Sequence, residues 1–353
     1  MSIASMNVLN KIRPYALALL SFGTLLVVES SSASAKEVTP IQLEKFSLAA
    51  PPTPCVREKD HMPSTRDPVA YQLFNEARKI WRSKPWGQLT EQQEDRIFDD
   101  TRKAAALGDW EARVLLAELY TRGLENKKRN SPRSLGEISK EIELAHTKVV
   151  DLARTAADAG QPWGWYSLAV AYENGYGNLV KNTDKAMAYY LYAAKLGSPE
   201  AQMALADTYF KTQQWQNETA LRRCAYQQGH GPAAYILGLR AGYDKRYAEA
   251  LQIYQQGVKF GSGACARALN AVFQQGAWGW NFEEEFKGLK ALGIHMDRER
   301  EKRYESIYEA LEINPDLRFS KLDLLLPLPP SKLPAWPGVN NLADVVPDDH
   351  PTY

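Results

Sequence analysis

One frame recurs along the chain and limits what it can fold into. Gly108, Gly160, Gly197, Gly229 and Gly261 fall in one column, at spacings of 52, 37, 32 and 32 residues. Four residues before them stand Ala104, Ala156, Ala193, Ala225 and Gly257, and four after stand Ala112, Gly164, Ala201, Ala233 and Cys265. Eight after, without exception, come Leu116, Leu168, Leu205, Leu237 and Leu269. Twelve after come Tyr120, Tyr172, Tyr209, Ala241 and Phe273. Offsets of four, eight and twelve follow one face of a helix, because 3.6 residues make a turn. The column glycine ends one helix in a left-handed cap. Pro162, Pro199 and Pro232 sit just inside the next helix, where a missing N–H does no harm. Small residues around the glycine allow close approach, and the leucine and aromatic fill the space between neighbours. A single helix hairpin cannot bury such a stripe, so the hairpins must stack.

These residues resemble the Sel-1-like repeat, a relative of the tetratricopeptide repeat. The resemblance rests on Ala193 to Gly197 followed by Ala201 to Tyr209. It rests also on Leu168 to Tyr172 with Gly175-Tyr176-Gly177, and on Asp184-Lys185-Ala186 with Tyr189-Tyr190. It covers roughly residues 90 to 276. It implies an all-α fold, a right-handed α-solenoid of stacked helix hairpins with extended Pro-rich ends, and a protein that binds other proteins rather than a catalyst. The long first interval holds an insertion, Leu124 to Pro132, containing Lys127-Lys128-Arg129. Ser134 and Glu137 then form a capping box that opens a helix running to about Ala159. Gly293 keeps the register at the far end, but a charge-rich helix from about Asp297 to Leu311 follows, as in a terminal capping repeat.

The ends differ from this frame. Lys11 and Arg13 precede an apolar run from Tyr15 to Val28, and Ala33-Ser34-Ala35 closes the stretch. That is the pattern of a cleavable secretory signal over residues 1–35, which predicts export to the periplasm. No later segment is apolar enough to span a bilayer. Residues 36–68 carry Pro40, Pro51, Pro52, Pro54, Pro63 and Pro68 and should be extended. The solenoid is expected over 69–312, starting with a helix from Val69 to Trp81. A Pro-rich tail over 313–353 contains Leu324-Leu325-Leu326 and Ala335-Trp336-Pro337-Gly338. Three adjacent leucines either pack back on the solenoid or meet a partner. The leader, Cys55 ahead of an acidic stretch, the repeats and this ending together resemble bacterial envelope proteins encoded beside type VI secretion lipase effectors. Those proteins act as immunity proteins, notably against phospholipase D-type toxins. The resemblance implies a periplasmic immunity protein that sterically blocks a phospholipase. The alternative is an envelope scaffold that joins other periplasmic proteins.

Charge and chemistry narrow the function. With 43 basic and 42 acidic residues the chain is nearly neutral, which argues against a broad nucleic-acid binder. It has no Gly-x-Ser-x-Gly elbow, phosphate loop or His-Glu-x-x-His motif. No two of its five histidines are four residues apart. Asp60-His61 and Asp348-Asp349-His350 read as polar loops, and Glu283-Glu284-Glu285 as the acidic start of a helix. No catalytic residue, metal or cofactor is expected. Export implies an oxidising compartment, so Cys55, Cys224 and Cys265 allow one disulfide plus one free thiol, or three buried small residues. Several aromatics fall off the core offsets: Trp163, Trp165, Tyr166, Tyr176, Tyr235, Tyr243, Trp278 and Trp280. They are either interface anchors for a protein partner or packing between repeats.

Overall fold

The glycine column builds the molecule's joints. In the computed structural model, which describes residues 43–50, 53–62, 65–125, 132–279 and 282–344, these joints link successive helix hairpins. The leader, Pro40, Pro51, Pro52, Pro63, Lys127-Lys128-Arg129, Trp280 and Asp348-Asp349-His350 lie outside the described residues. The first hairpins are α1 (Pro68–Trp81) with α2 (Glu91–Ala106) and α3 (Trp110–Thr121) with α4 (Leu135–Asp158). Next come α5 (Pro162–Asn174) with α6 (Thr183–Lys195), and α7 (Pro199–Lys211) with α8 (Trp215–Gln227). Then follow α9 (Gly231–Tyr243) with α10 (Tyr247–Lys259), α11 (Gly263–Gln275), α12 (Phe282–Ala291) and α13 (Arg298–Ile313). From α1 to α11 each helix packs on its sequence neighbours; α13 rather than α12 then covers α11, and α12 packs on α10. The described fold is an all-α solenoid, with one isolated bridge between Arg318 and Asp344.

Every joint is built alike. Three residues separate the helices, and the middle one is the column glycine, with φ between 80° and 95°. The residue after it donates its N–H back to the small residue four before the glycine: Asp109 to Ala104 at 3.1 Å, Gln161 to Ala156 at 2.9 Å, and Ser198 to Ala193 at 3.0 Å. His230 to Ala225 at 3.2 Å and Ser262 to Gly257 at 2.9 Å complete the set. This is the Schellman closure. The same residue is the N-cap of the next helix, and the side chains of Asp109, Ser198, His230 and Ser262 accept from its backbone. One position thus ends one helix and begins another. The leucines at offset eight are all buried. At Gly257 a Cβ would lie 2.3 Å from the Cys265 sulfur, so the small residues on either side of this joint touch each other.

The N-terminal segment crosses these joints. Cys55 is bonded to Cys224 on α8, which settles the cysteine question and leaves Cys265 as a buried thiol. Gln202 Nε2 donates to the Val56 carbonyl at 3.0 Å, and the Glu58 N–H donates to Gln228 Oε1 at 2.8 Å. The backbone passes so close that a Cβ on Gly197 would lie 2.3 Å from the Arg57 carbonyl carbon and from the Glu58 nitrogen. Asp60 and His61 belong to a short 3-10 turn here, and Asp60 pairs with Arg57 at 3.1 Å. Glu58 is buried beside Glu200; burial first, then that neighbour, pushes its carboxyl well above the ordinary value of 4.5.

The tail packs back. Phe319, Leu322, Leu326 and Leu342 enter the same core as α10, α11 and α13, while Leu324 remains 75% exposed. The charge on α13 is only partly a solvent cap, because Arg300 and Arg303 are buried. Arg303 donates to the carbonyls of Leu325 at 3.1 Å and Pro334 at 2.9 Å, and its guanidinium lies 5.1 Å over Trp336. Arg300 donates to Ser331 at 2.5 Å and Pro327 at 3.3 Å. A Pro-rich segment has few N–H groups of its own but keeps its carbonyls, and buried arginines are suited to satisfy them.

The same tail reaches the first hairpin. Arg78 Nε at 2.8 Å and Arg82 Nε at 3.0 Å, both from α1, share Asp316 Oδ2. Burial raises the Asp316 carboxyl, but Arg82 and Arg78 outweigh it and hold the group below its ordinary range. Alongside, Arg66 bridges Asp109 at 2.6 Å and Glu111 at 2.8 Å.

Candidate partner-binding surface

The joints occupy one edge of the solenoid, because consecutive helices run antiparallel. The turns within hairpins form the opposite edge, and there large apolar side chains meet solvent. Val180 before α6 is 84% exposed, Phe210 at the end of α7 52%, Trp215 at the start of α8 46%, Tyr243 at the end of α9 87%, and Phe282 at the start of α12 50%. Turn after turn, this edge offers an apolar group.

Its best-defined part is the ring pair of Phe210 and Trp215, edge to face at 5.6 Å. The Arg240 guanidinium lies 5.2 Å over the Trp215 ring. Arg240 is itself held by Glu218, a buried carboxylate that also accepts from Arg222 Nε at 2.6 Å. Arg222 extends the network to Asp207 at 2.8 Å. Tyr243 follows Arg240 by three residues on α9 and so projects from the same side. Lys245, in the next turn, pairs with Glu284 of α12 at 2.5 Å. The surface therefore has fixed aromatic groups, a braced cation and a rim of mixed charge. Such a surface suits binding a protein; rings immobilised beforehand lose little freedom on association. Among the described residues no three of His, Cys, Asp and Glu are grouped to hold a metal, and no helix is long and apolar enough to cross a membrane.

The aromatics singled out in the sequence divide by location. Trp163 is 6% exposed and packs with Ala117, Val149 and Ala156. Trp165 is equally buried, stacked on Tyr189 at 5.6 Å and edge-on to Tyr192 at 4.9 Å. Tyr166 is half-buried against Tyr190. Tyr176 lies 4.6 Å from the His146 ring, and burial pushes its hydroxyl up to about 12. Tyr235 and Trp278 both lean on Tyr254, at 6.2 and 5.6 Å. Trp278 also stacks on Tyr247, and Glu285 fixes the turn around it by accepting from the Trp278 and Gly279 N–H groups. Of the seven among the described residues, Tyr243 is the one whose ring stands mostly in solvent; Trp280 lies outside them. Trp163 and Trp165 are correspondingly packing residues, because α5 is covered by α4 on one side and α6 on the other. Phe210 and Trp215 are not among the sequence candidates; an apolar residue directly after the offset-twelve Tyr209 is the signal of an outward-turned ring.

Comparison with known proteins gives the surface a context. The structure is similar to that of an immunity protein, Pa5087 of Pseudomonas aeruginosa, with 30% sequence identity, a TM-score of 0.59, and coverage of 79% of this chain and 95% of that one. The chain belongs to the family of that immunity protein. Two further Pseudomonas aeruginosa structures are similar to it. PA5086 is 29% identical with a TM-score of 0.59, covering 80% of this chain and 96% of its own. The immunity protein PA5088 is 28% identical with a TM-score of 0.55, covering 78% and 94%. Residues 266–350 match a family described as a domain of unknown function, DUF6396. No curated protein matches the sequence. The matched residues begin within α11 and take in α13 and the tail, so the arginine-held arm falls within a recognised sequence unit.

Proposed function

We propose that this chain is a periplasmic immunity protein that binds a type VI secretion lipase effector and blocks it sterically. The observation that carries the reading is the 30% identity to an immunity protein along 95% of that protein's length. The leader pattern, the disulfide and the aromatic edge support it: a cleavable signal and a Cys55–Cys224 bond suit an oxidising compartment, and the edge supplies anchors for a protein. The effector docks on the Phe210, Trp215 and Tyr243 edge, and the solenoid behind it covers the mouth of the lipase, keeping phospholipid out. Nothing in this mode requires the immunity protein to react with anything.

The test is direct. The chain and the lipase encoded beside it are purified separately, mixed, and assayed for a stable complex and for phospholipid hydrolysis. A one-to-one complex with suppressed hydrolysis is expected. Absence of both overturns the reading, and a complex that leaves hydrolysis intact returns the chain to the scaffold alternative.

A further inference from the structure

The seam where α1 meets the chain after α13 carries more cations than anions. Arg66, Arg78, Arg82 and Arg318 stand among Asp109, Glu111 and Asp316. The carboxylates are already engaged: Asp316 by Arg78 and Arg82, and Asp109 and Glu111 by Arg66. Yet Arg66 Nη1, Arg78 Nη2 and Arg318 Nε are buried donors with no hydrogen-bond partner. Arg318 spends Nη1 on the Pro315 and Leu317 carbonyls, each at 3.0 Å; burial first, and then Arg78, disfavour its charge, and Asp316 offsets them only in part.

Orphaned buried donors are costly, and buried charge without a counter-ion costs more. The aromatic rings do not settle this account. Tyr71, Trp110 and Phe74 lie 4.5, 5.3 and 5.6 Å from the Arg66 guanidinium carbon, facing its charge, but ring faces offer no lone pair to an N–H in the guanidinium plane. Water supplies an acceptor without the missing negative charge. A small oxyanion supplies both, and one with several oxygens serves donors from separate guanidinium groups, the chemistry for which arginine is best suited.

We propose that this seam is a binding site for a phosphate-type oxyanion, with Arg78 and Arg318 as principal donors and Arg66 beside them. Inorganic phosphate and the phosphate of a phospholipid headgroup share the required chemistry. The site is independent of the effector surface and does not rest on the immunity reading.

The full chain, exchanged into buffer free of phosphate and sulfate, is titrated calorimetrically with inorganic phosphate, glycerol 3-phosphate and phosphatidylglycerol vesicles in separate arms. Chloride keeps ionic strength constant. Saturable binding of inorganic phosphate, with Tm raised by at least about 2 °C, is expected. Binding confined to glycerol 3-phosphate or to vesicles supports the site and names the headgroup as its source. Arg318→Gln should weaken binding about tenfold or more, and so should Arg318→Lys, which keeps the charge and loses the fork. Arg82→Gln should destabilise the fold and weaken binding less than Arg318→Gln, because it removes a charge from the seam but none of the three orphaned donors. No binding in any arm overturns the site, as does unchanged affinity in both Arg318 variants.

Discussion

The two edges of the solenoid solve the same problem, reversing the chain between antiparallel helices, with different materials. On the joint edge the left-handed position is always glycine, the residue after it is the N-cap of the next helix, and at Gly197 and Gly261 other chain segments lie directly on top. Residues 57–58 press on Gly197, and the Leu317 carbonyl oxygen would lie 2.5 Å from a Cβ on Gly261. On the opposite edge Gly123, Gly175 and Gly276 hold this position in some turns, but Gln213 at φ 60° and Lys245 at φ 63° take it in two others, and there the neighbouring side chains are large and face water. The first edge is covered at two joints by its own chain, and the turns around Phe210, Trp215 and Tyr243 are left open. An edge whose backbone tolerates side chains at its tightest positions, and whose rings are fixed but uncovered, has room for a partner.

The contrast can be broken from the closed side first. Cys55→Ser with Cys224→Ser should cost about 4 kcal/mol in urea unfolding under oxidising conditions, since the bond closes a loop across 169 positions of sequence. If the double variant matches the parent, the strap is not part of the folded unit. Gly197→Ala should cost about 3 kcal/mol, combining a left-handed backbone with a Cβ placed against the Arg57 carbonyl carbon. A crystal structure of that variant should show residues 57–58 displaced. On the open side the order of effects reverses. Trp215→Ala should weaken effector binding by about 2 kcal/mol while moving the unfolding midpoint little, whereas the buried Trp163→Ala should do the opposite. Equal losses of affinity for the two would place the contact elsewhere.

Two smaller effects sharpen the comparison. Because burial raises the Glu58 carboxyl, its cost to folding is absent below the ordinary value of 4.5 and grows as pH rises towards the folded value. Glu58→Gln should therefore stabilise the chain at neutral pH and change little in acid; the gain is read as the difference in urea midpoints at the two conditions. Finally, Gln213→Gly should raise stability by about 0.5 kcal/mol, relieving a left-handed glutamine at some expense in unfolded-state freedom. A loss there would mean that the far-edge turns are stabilised by contacts of their own side chains.

The sequence made the joints readable because they are local. A capping glycine, the small residue that accepts behind it and the leucine two turns ahead all fall within one helix length, so periodicity carries them, and Ser134 with Glu137 marks the start of α4 for the same reason. What periodicity cannot carry is contact between distant segments. Cys55 with Cys224, and Arg78 with Asp316, are 169 and 238 positions apart, and no spacing rule joins them. The two readings of the aromatics are hard to separate for a related reason. Offsets from one column describe one stripe of a helix, but α5 is covered on nearly every side, so Trp163 and Trp165 lie off the stripe and inside the molecule. Phe210 sits one step beyond the core Tyr209, about 100° around the axis, and that step alone turns it to water.

The salt links between α1 and Asp316 alter how an array of this kind can come apart. Stacked repeats ordinarily fray from their tips inward, because a terminal unit has a neighbour on one side only. Here the first hairpin and the final arm are each other's neighbour, so loosening either strips contacts from both. Such an array is held at both tips at once.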